Sequence, residues 1–209
     1  MATSRSWALL LGFFWMSISG PAWAREAPLQ AGRSLQTLEG APFELGAAVR
    51  DSRAVVLVFW TAGCPCVLRY QQRVEDLLTR YGPRGVTVLG VSSNAGEAPD
   101  QVKQALQARG VTLKVVRDPG GKLADAVGAR STPTVAILDQ SGKVAFLGWI
   151  DNEREPGAAD REPYVEQALD AILAGQRGFA KRSPVFGCRI TRKLFDAPAA
   201  SNCHQEALP

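Results

Sequence analysis

The chain predicts an α/β fold, a central mixed β-sheet with helices on both faces. Apolar runs that suit strands alternate with segments of helical spacing, the last strands form a hairpin followed by one more helix, and no internal repeat breaks the order. Residues 54–60 (AVVLVFW) form a β-rich apolar run of the kind buried on both faces of a sheet. Residues 67–81 follow with helical spacing. Val67, Tyr70, Val74, Leu77, Leu78 and Tyr81 form one apolar stripe, Arg69, Arg73, Glu75 and Asp76 lie mostly off it, and Gly82-Pro83 ends the helix. A strand is then expected at 85–92, a helix at 99–108, a short strand at 112–116 and a short helix at 122–127. Residues 134–138 and 143–149 flank Asp139-Gln140-Ser141-Gly142, a hairpin signal, and 162–173 is the last helix. Residues 34–45 are expected to add an edge hairpin.

Residues 1–24 resemble a signal peptide. Arg5 supplies the basic start, residues 7–18 an apolar stretch too short to span a bilayer comfortably, and Ala22-Trp23-Ala24 a small-residue cleavage pattern. An uncleaved membrane anchor is the competing reading. The leader predicts an exported protein of the bacterial periplasm, an oxidising compartment in which disulfides persist. Residues 25–175 are expected to form the single folded domain, and 176–209 an irregular basic tail that carries Cys188 and Cys203.

The chain has 24 basic and 20 acidic residues, net +4. Arg177, Lys181, Arg182, Arg189, Arg192 and Lys193 place the excess in the tail, where Phe179, Phe186 and Phe195 are too spread for a nucleic-acid face. The expected partners are protein thiols or disulfides, or a thiol electron donor. No nucleic acid, no membrane span after cleavage and no cofactor is expected.

The chemistry lies where the first apolar run ends. Cys64-Pro65-Cys66 follows the small-residue turn Thr61-Ala62-Gly63 at the start of the predicted helix. A helix N-terminus carries unpaired N–H groups and about half a positive charge, which favours thiolate over thiol. Pro65 suits the first helical position.

Phe59-Trp60, a cysteine four residues after that tryptophan, and Ser131-Thr132-Pro133-Thr134 ahead of a later strand resemble the thioredoxin superfamily over about residues 32–175. Cys64-Pro65 with Arg69-Tyr70, Asp118-Pro119-Gly120, Trp149-Ile150-Asp151-Asn152 and Phe186-Gly187-Cys188-Arg189-Ile190 is most similar to exported redoxins of the alkyl hydroperoxide reductase/thiol-specific antioxidant type. The resemblance implies a thioredoxin-like fold, Cys64 as the nucleophile and Pro133 as a cis-proline beside it. It also implies Trp60, Thr132 and Pro133 as substrate-binding residues, with Thr132 offering backbone groups to an extended partner. Trp60 and Tyr70 also suit plain packing.

Two departures bear on the reaction. In a C-x-x-C motif the second cysteine would stand at Val67, whereas Cys66 comes one residue early, about 100° of rotation away. Peroxidases of the resembled type carry P-x-x-x-T-x-x-C: Thr61 fits the threonine, Leu57 occupies the proline position, and Arg130 is an available cation. The leading expectation is therefore an exported thiol–disulfide oxidoreductase, with Cys64 as nucleophile and Cys66 or Cys188 resolving. The alternative is a peroxiredoxin-like peroxidase with Cys64 as the peroxidatic cysteine. A copper-binding or non-catalytic module stands third, since Cys64, Cys66 and Cys203-His204 lack the C-x-x-x-C and distant histidine of copper carriers with the resembled fold.

Cys66 suits either a second thiol or a small buried side chain. Cys188 has two readings as well. Pairing with Cys203 would tie down the tail, worth about 3 kcal/mol for a short loop. Alternatively Gly187 allows the close backbone approach by which Cys188 reaches Cys64 and bonds to it in part of the oxidised protein. His204, the only histidine, suits a solvated position. In the reduced protein Cys64 is expected to have a depressed pKa and to alkylate faster than any other cysteine; equal rates at Cys64 and Cys203 across neutral pH would contradict this.

Overall fold

The computed structural model describes residues 23–152, 160–176, 181–183 and 186–192. The leader as far as residue 22, together with Cys203 and His204, lies outside them. Helix α1 (Trp23–Gly32) leads into β1 (Gln36–Thr37), α2 (Leu45–Arg50), β2 (Ala54–Phe59), α3 (Pro65–Tyr81) and β3 (Val86–Ser92). Then come α4 (Pro99–Ala108), β4 (Val115–Arg117), α5 (Lys122–Val127), β5 (Ser131–Thr132), β6 (Thr134–Asp139) and β7 (Val144–Gly148). The described part closes with α6 (Tyr164–Leu173), β8 (Lys181–Arg182) and β9 (Cys188–Arg189).

Seven strands form one mixed sheet in the order β1-β4-β3-β2-β6-β7-β8, and β5 pairs with β9 in a separate two-stranded ribbon. Strand β2 lies at the centre, parallel to β3 and antiparallel to β6. All six of its residues are buried, because both sheet faces are covered. Successive strand residues point to opposite faces, so Ala54, Val56 and Val58 enter one core with α3, α4 and α6, while Val55, Leu57 and Phe59 enter the other with α2 and α5. Leu57 is therefore a core residue in mid-strand, paired with Leu89 and Ala136.

Of the predicted stripe of α3, Val67, Tyr70, Val74, Leu77 and Tyr81 are buried against the sheet, joined by Cys66, while Leu78 is only half-buried at its margin. Residues 34–45 give one edge strand, β1, which pairs with β4 and turns back through Gly40 to a bridge between Gln36 and Pro42. Helices α1 and α2 have no counterpart among the elements expected from the sequence; α1 holds Pro28 within it, a residue that reads as a helix break.

One buried charge supports the α3 side of the sheet. The Asp151 side chain has no exposed surface and accepts from Arg73 at 2.7 Å and Arg161 at 2.9 Å. The Arg73 guanidinium lies 4.4 Å from the centre of the Tyr70 ring, and that ring is 4.9 Å from Trp149. Asp151→Asn is expected to cost about 3 kcal/mol in urea unfolding, with an unchanged m value. Burial pushes the Tyr70 and Tyr81 phenols above their ordinary pKa, so the folded protein holds both protonated. Above pH about 10 the unfolded chain binds fewer protons, so this stability is lost as pH rises through the folded values. Tyr70→Phe should narrow the alkaline fall in Tm.

Candidate active site

Cys64 is the residue before the first turn of α3, with extended backbone (φ −89°, ψ 119°) and Pro65 behind it at the first helical position. Its Sγ lies 3.3 Å from the Thr132 carbonyl oxygen. The Thr132–Pro133 peptide is cis, as the resemblance implied. The sheet register creates this juxtaposition: Phe59 pairs with Thr134, so the residues after β2 and those before β6 leave the sheet side by side.

The loop between β2 and Cys64 is held by two charged side chains that the sequence reading did not single out. Glu97 accepts from Thr61 Oγ1 at 2.5 Å, from the Ala62 N–H at 2.6 Å and, through its other oxygen, from Ser92 Oγ at 2.5 Å. Arg109 donates to the Ala62 carbonyl and lies 5.7 Å from the centre of the Trp60 ring. Neither belongs to a motif. Each comes from a segment distant from Cys64 along the helix–strand order, so no local pattern could mark it.

Cys188 completes the site. β9 pairs antiparallel with β5, placing Cys188 opposite Thr132 and Arg189 opposite Ser131. Cys64 and Cys188 are joined by a disulfide, with Cα atoms 6.0 Å apart, inside the usual range. The Sγ atoms of Cys64, Cys66 and Cys188 all lie within 4.8 Å of one another, and none of the three is free. Cys66 thus belongs to the cluster even though it comes one residue early. The first turn of α3 carries its sulfur to the same side.

The segment around Cys188 is anchored on both sides. Phe186 packs on Trp149 at 4.5 Å between ring centres. The Ile190 N–H donates to the Arg130 carbonyl at 2.9 Å, and Ile190 is buried in the second core. Asn94 Oδ1 accepts from the Thr191 N–H at 2.7 Å, and Arg192 pairs with Asp125 at 2.7 Å. Between them Gly187, at φ +125°, lies so close to the Thr132 carbonyl that a Cβ would collide with it.

Thr132 is 1% exposed because β9 covers it, so the edge the resemblance offers to a partner chain is taken by the protein's own strand. Trp60 is 2% exposed within the first core, and as it stands it supports the Cys64 loop from inside instead of offering a contact surface. The Thr61 hydroxyl is committed to Glu97. The Arg130 side chain is exposed, and it is the residue's carbonyl that meets the tail.

A sheet that delivers a cysteine to a helix start beside a cis-proline, with a second cysteine bonded to it, defines a thioredoxin-like redox protein. The chain belongs to the redoxin family, whose family model matches residues 24–169. Among curated proteins it is similar to the thiol-disulfide oxidoreductase ResA of Halalkalibacterium halodurans, at 30% identity over 110 residues, 53% of this chain and 60% of that one. ResA of Geobacillus thermodenitrificans is 30% identical over 92 residues, 44% of this chain and 52% of that one. The chain thus matches little more than half the length of these relatives. Among solved structures, a hypothetical protein from Sinorhizobium meliloti superposes with a TM-score of 0.65 at 26% identity, over 75% of this chain and 88% of the other. An uncharacterized conserved protein from Geobacillus kaustophilus gives 0.66 at 26% identity, over 76% and 87%.

Gly187→Ala tests the approach of β9. The added methyl collides with the Thr132 carbonyl, and the backbone angle costs a further amount of about 1–3 kcal/mol. The equilibrium constant for forming the Cys64–Cys188 bond in a thiol redox buffer should fall about tenfold or more, read by mass mapping.

Proposed function

We propose that this redoxin is a thiol–disulfide oxidoreductase in which Cys64 is the nucleophile and Cys188 the resolving cysteine. The observation that carries the reading is the disulfide between a cysteine at a helix start and one on a strand paired beside the cis-proline. The Cys64 thiolate attacks one sulfur of a partner disulfide and expels the other as a thiolate. The Cys188 thiolate then attacks Cys64 in the mixed disulfide. The partner leaves with two thiols, and the protein is left with the Cys64–Cys188 bond; a dithiol donor returns it to the reduced form. A low leaving-group pKa speeds exchange, and the N-terminus of α3 favours thiolate at Cys64 in the reverse step.

Cys66 competes for the same bond, being within reach of both other sulfurs. Thr132 and Pro133 orient the reacting chain, and β9 occupies that edge until a partner displaces it. Similarity to the ResA oxidoreductases supports the same chemistry. Export to the periplasm rests on the leader pattern of residues 1–24. Among the described residues no helix is long and apolar enough to cross a membrane.

The peroxidase alternative ranks second on one further observation. The Thr61 hydroxyl, which fits the peroxidase threonine, donates to Glu97 and is not free to support a thiolate at Cys64. Reduction of insulin or a model disulfide is therefore expected to outpace consumption of hydrogen peroxide. Cys64→Ser should abolish exchange, Cys188→Ala should accumulate mixed disulfides at Cys64, and Cys66→Ala should leave the Cys64–Cys188 bond formed. Rapid peroxide turnover that disappears in Cys64→Ser would reverse the ranking.

A further inference from the structure

We propose that the reduced protein binds a soft monovalent metal ion, with Cu(I) as the probe, through the three sulfurs of Cys64, Cys66 and Cys188. This site goes beyond disulfide exchange and does not rest on it. The C-x-C pair alone supplies two sulfurs, too few for a closed soft-metal site, and the third comes from a residue 124 positions from Cys64. With metal–sulfur bonds of about 2.3 Å, three sulfurs around one ion stand about 4 Å apart. The three Sγ atoms lie within 4.8 Å of one another, so small side-chain rotations meet that requirement.

Three features keep the site assembled once the disulfide is reduced. Cys64 and Cys66 are fixed by the first turn of α3. Cys188 stays in place because Phe186 on Trp149, Ile190 in the second core, Thr191 on Asn94 and Arg192 on Asp125 hold its strand without help from the sulfur. The helix N-terminus favours the thiolates that ligation needs. Burial then selects the ion. Cys64 is 1% and Cys66 0% exposed, Cys188 is half-buried, and among the described residues no histidine or carboxylate joins the cluster. Thiolates hold both Zn(II) and Cu(I), but Zn(II) prefers four ligands, whereas three sulfurs can satisfy Cu(I).

Binding involves no electron transfer: each coordinating thiol gives its proton to solvent as its bond to copper forms. In the oxidised protein none of the three sulfurs is free, and the Cys64–Cys188 disulfide engages two of them, so metal binding and the oxidised state exclude each other. A dithiol that breaks the disulfide opens the site, and oxidation closes it.

The test titrates the full chain with Cu(I) against a chromophoric copper chelator, after reduction by a dithiol and its removal without oxygen. Copper per chain and the sulfur-to-copper charge-transfer absorption are the readouts, and neither depends on enzyme activity. Wild type is expected to hold one copper, the oxidised protein none, and Cys66→Ala and Cys188→Ala to bind at least about tenfold more weakly, since loss of even an outer-shell partner costs that much. Cys66→Ala keeps the other two cysteines, and mass mapping of its Cys64–Cys188 bond after reoxidation confirms the fold. Copper binding that survives either substitution, or that oxidation does not reduce, overturns the proposal. Loss of exchange activity with copper binding intact would count against the oxidoreductase reading alone.

Discussion

The site depends on how β2 is held. This strand is buried on both faces and hydrogen-bonded on both edges, to β3 in parallel and β6 in antiparallel register. Its end therefore has no freedom to shift. The pairing of Phe59 with Thr134 makes the loop leading to Cys64 and the loop holding the cis-proline emerge next to each other. Glu97 and Arg109 then hold that loop by its threonine hydroxyl and by the backbone N–H and C=O of Ala62. A carboxylate taking three short hydrogen bonds gives a stiffer mount than the loop's own small residues can provide.

On this mount the protein lays its own strand. β9 takes the position beside Thr132, and it brings a thiol with it. The covering segment is attached on both sides of Cys188, by an aromatic contact before it and by a buried isoleucine, a backbone bond to Asn94 and an ion pair after it. Such anchoring gives Cys188 a high effective concentration at Cys64, which favours the intramolecular disulfide over mixed disulfides with small thiols. It also shields Cys64 from solvent. A fast alkylation rate at Cys64 would thus report opening of the tail as well as thiolate character, and only its pH dependence separates the two.

The Asp151–Arg73–Tyr70–Trp149 chain ties the helix that carries Cys64 to the aromatic seat of the tail. Asp151 lies just after β7, Tyr70 and Arg73 lie on α3, and Phe186 packs against Trp149 at a tilt. Burial stabilises this arrangement only while the charge is paired, because an unpaired buried carboxylate costs several kcal/mol. The two halves of the site are therefore fixed to one another by packing as well as by sulfur.

Local pattern determined much of this protein. The apolar run of β2, the stripe on α3, the hairpin of β6 and β7, and Cys64 before Pro65 at a helix start were legible because each is set by residues close in sequence. Proximity of Cys188 to Cys64 was legible in part, through the glycine beside it, while pairing with Cys203 stood equally open. Tertiary structure alone decided the rest. It chose Cys64 as the partner of Cys188, brought Cys66 into the same cluster and committed Thr61 to Glu97. The physical reason is distance along the chain: periodicity and capping act over a few residues, whereas these contacts join segments that meet only after the sheet register is set.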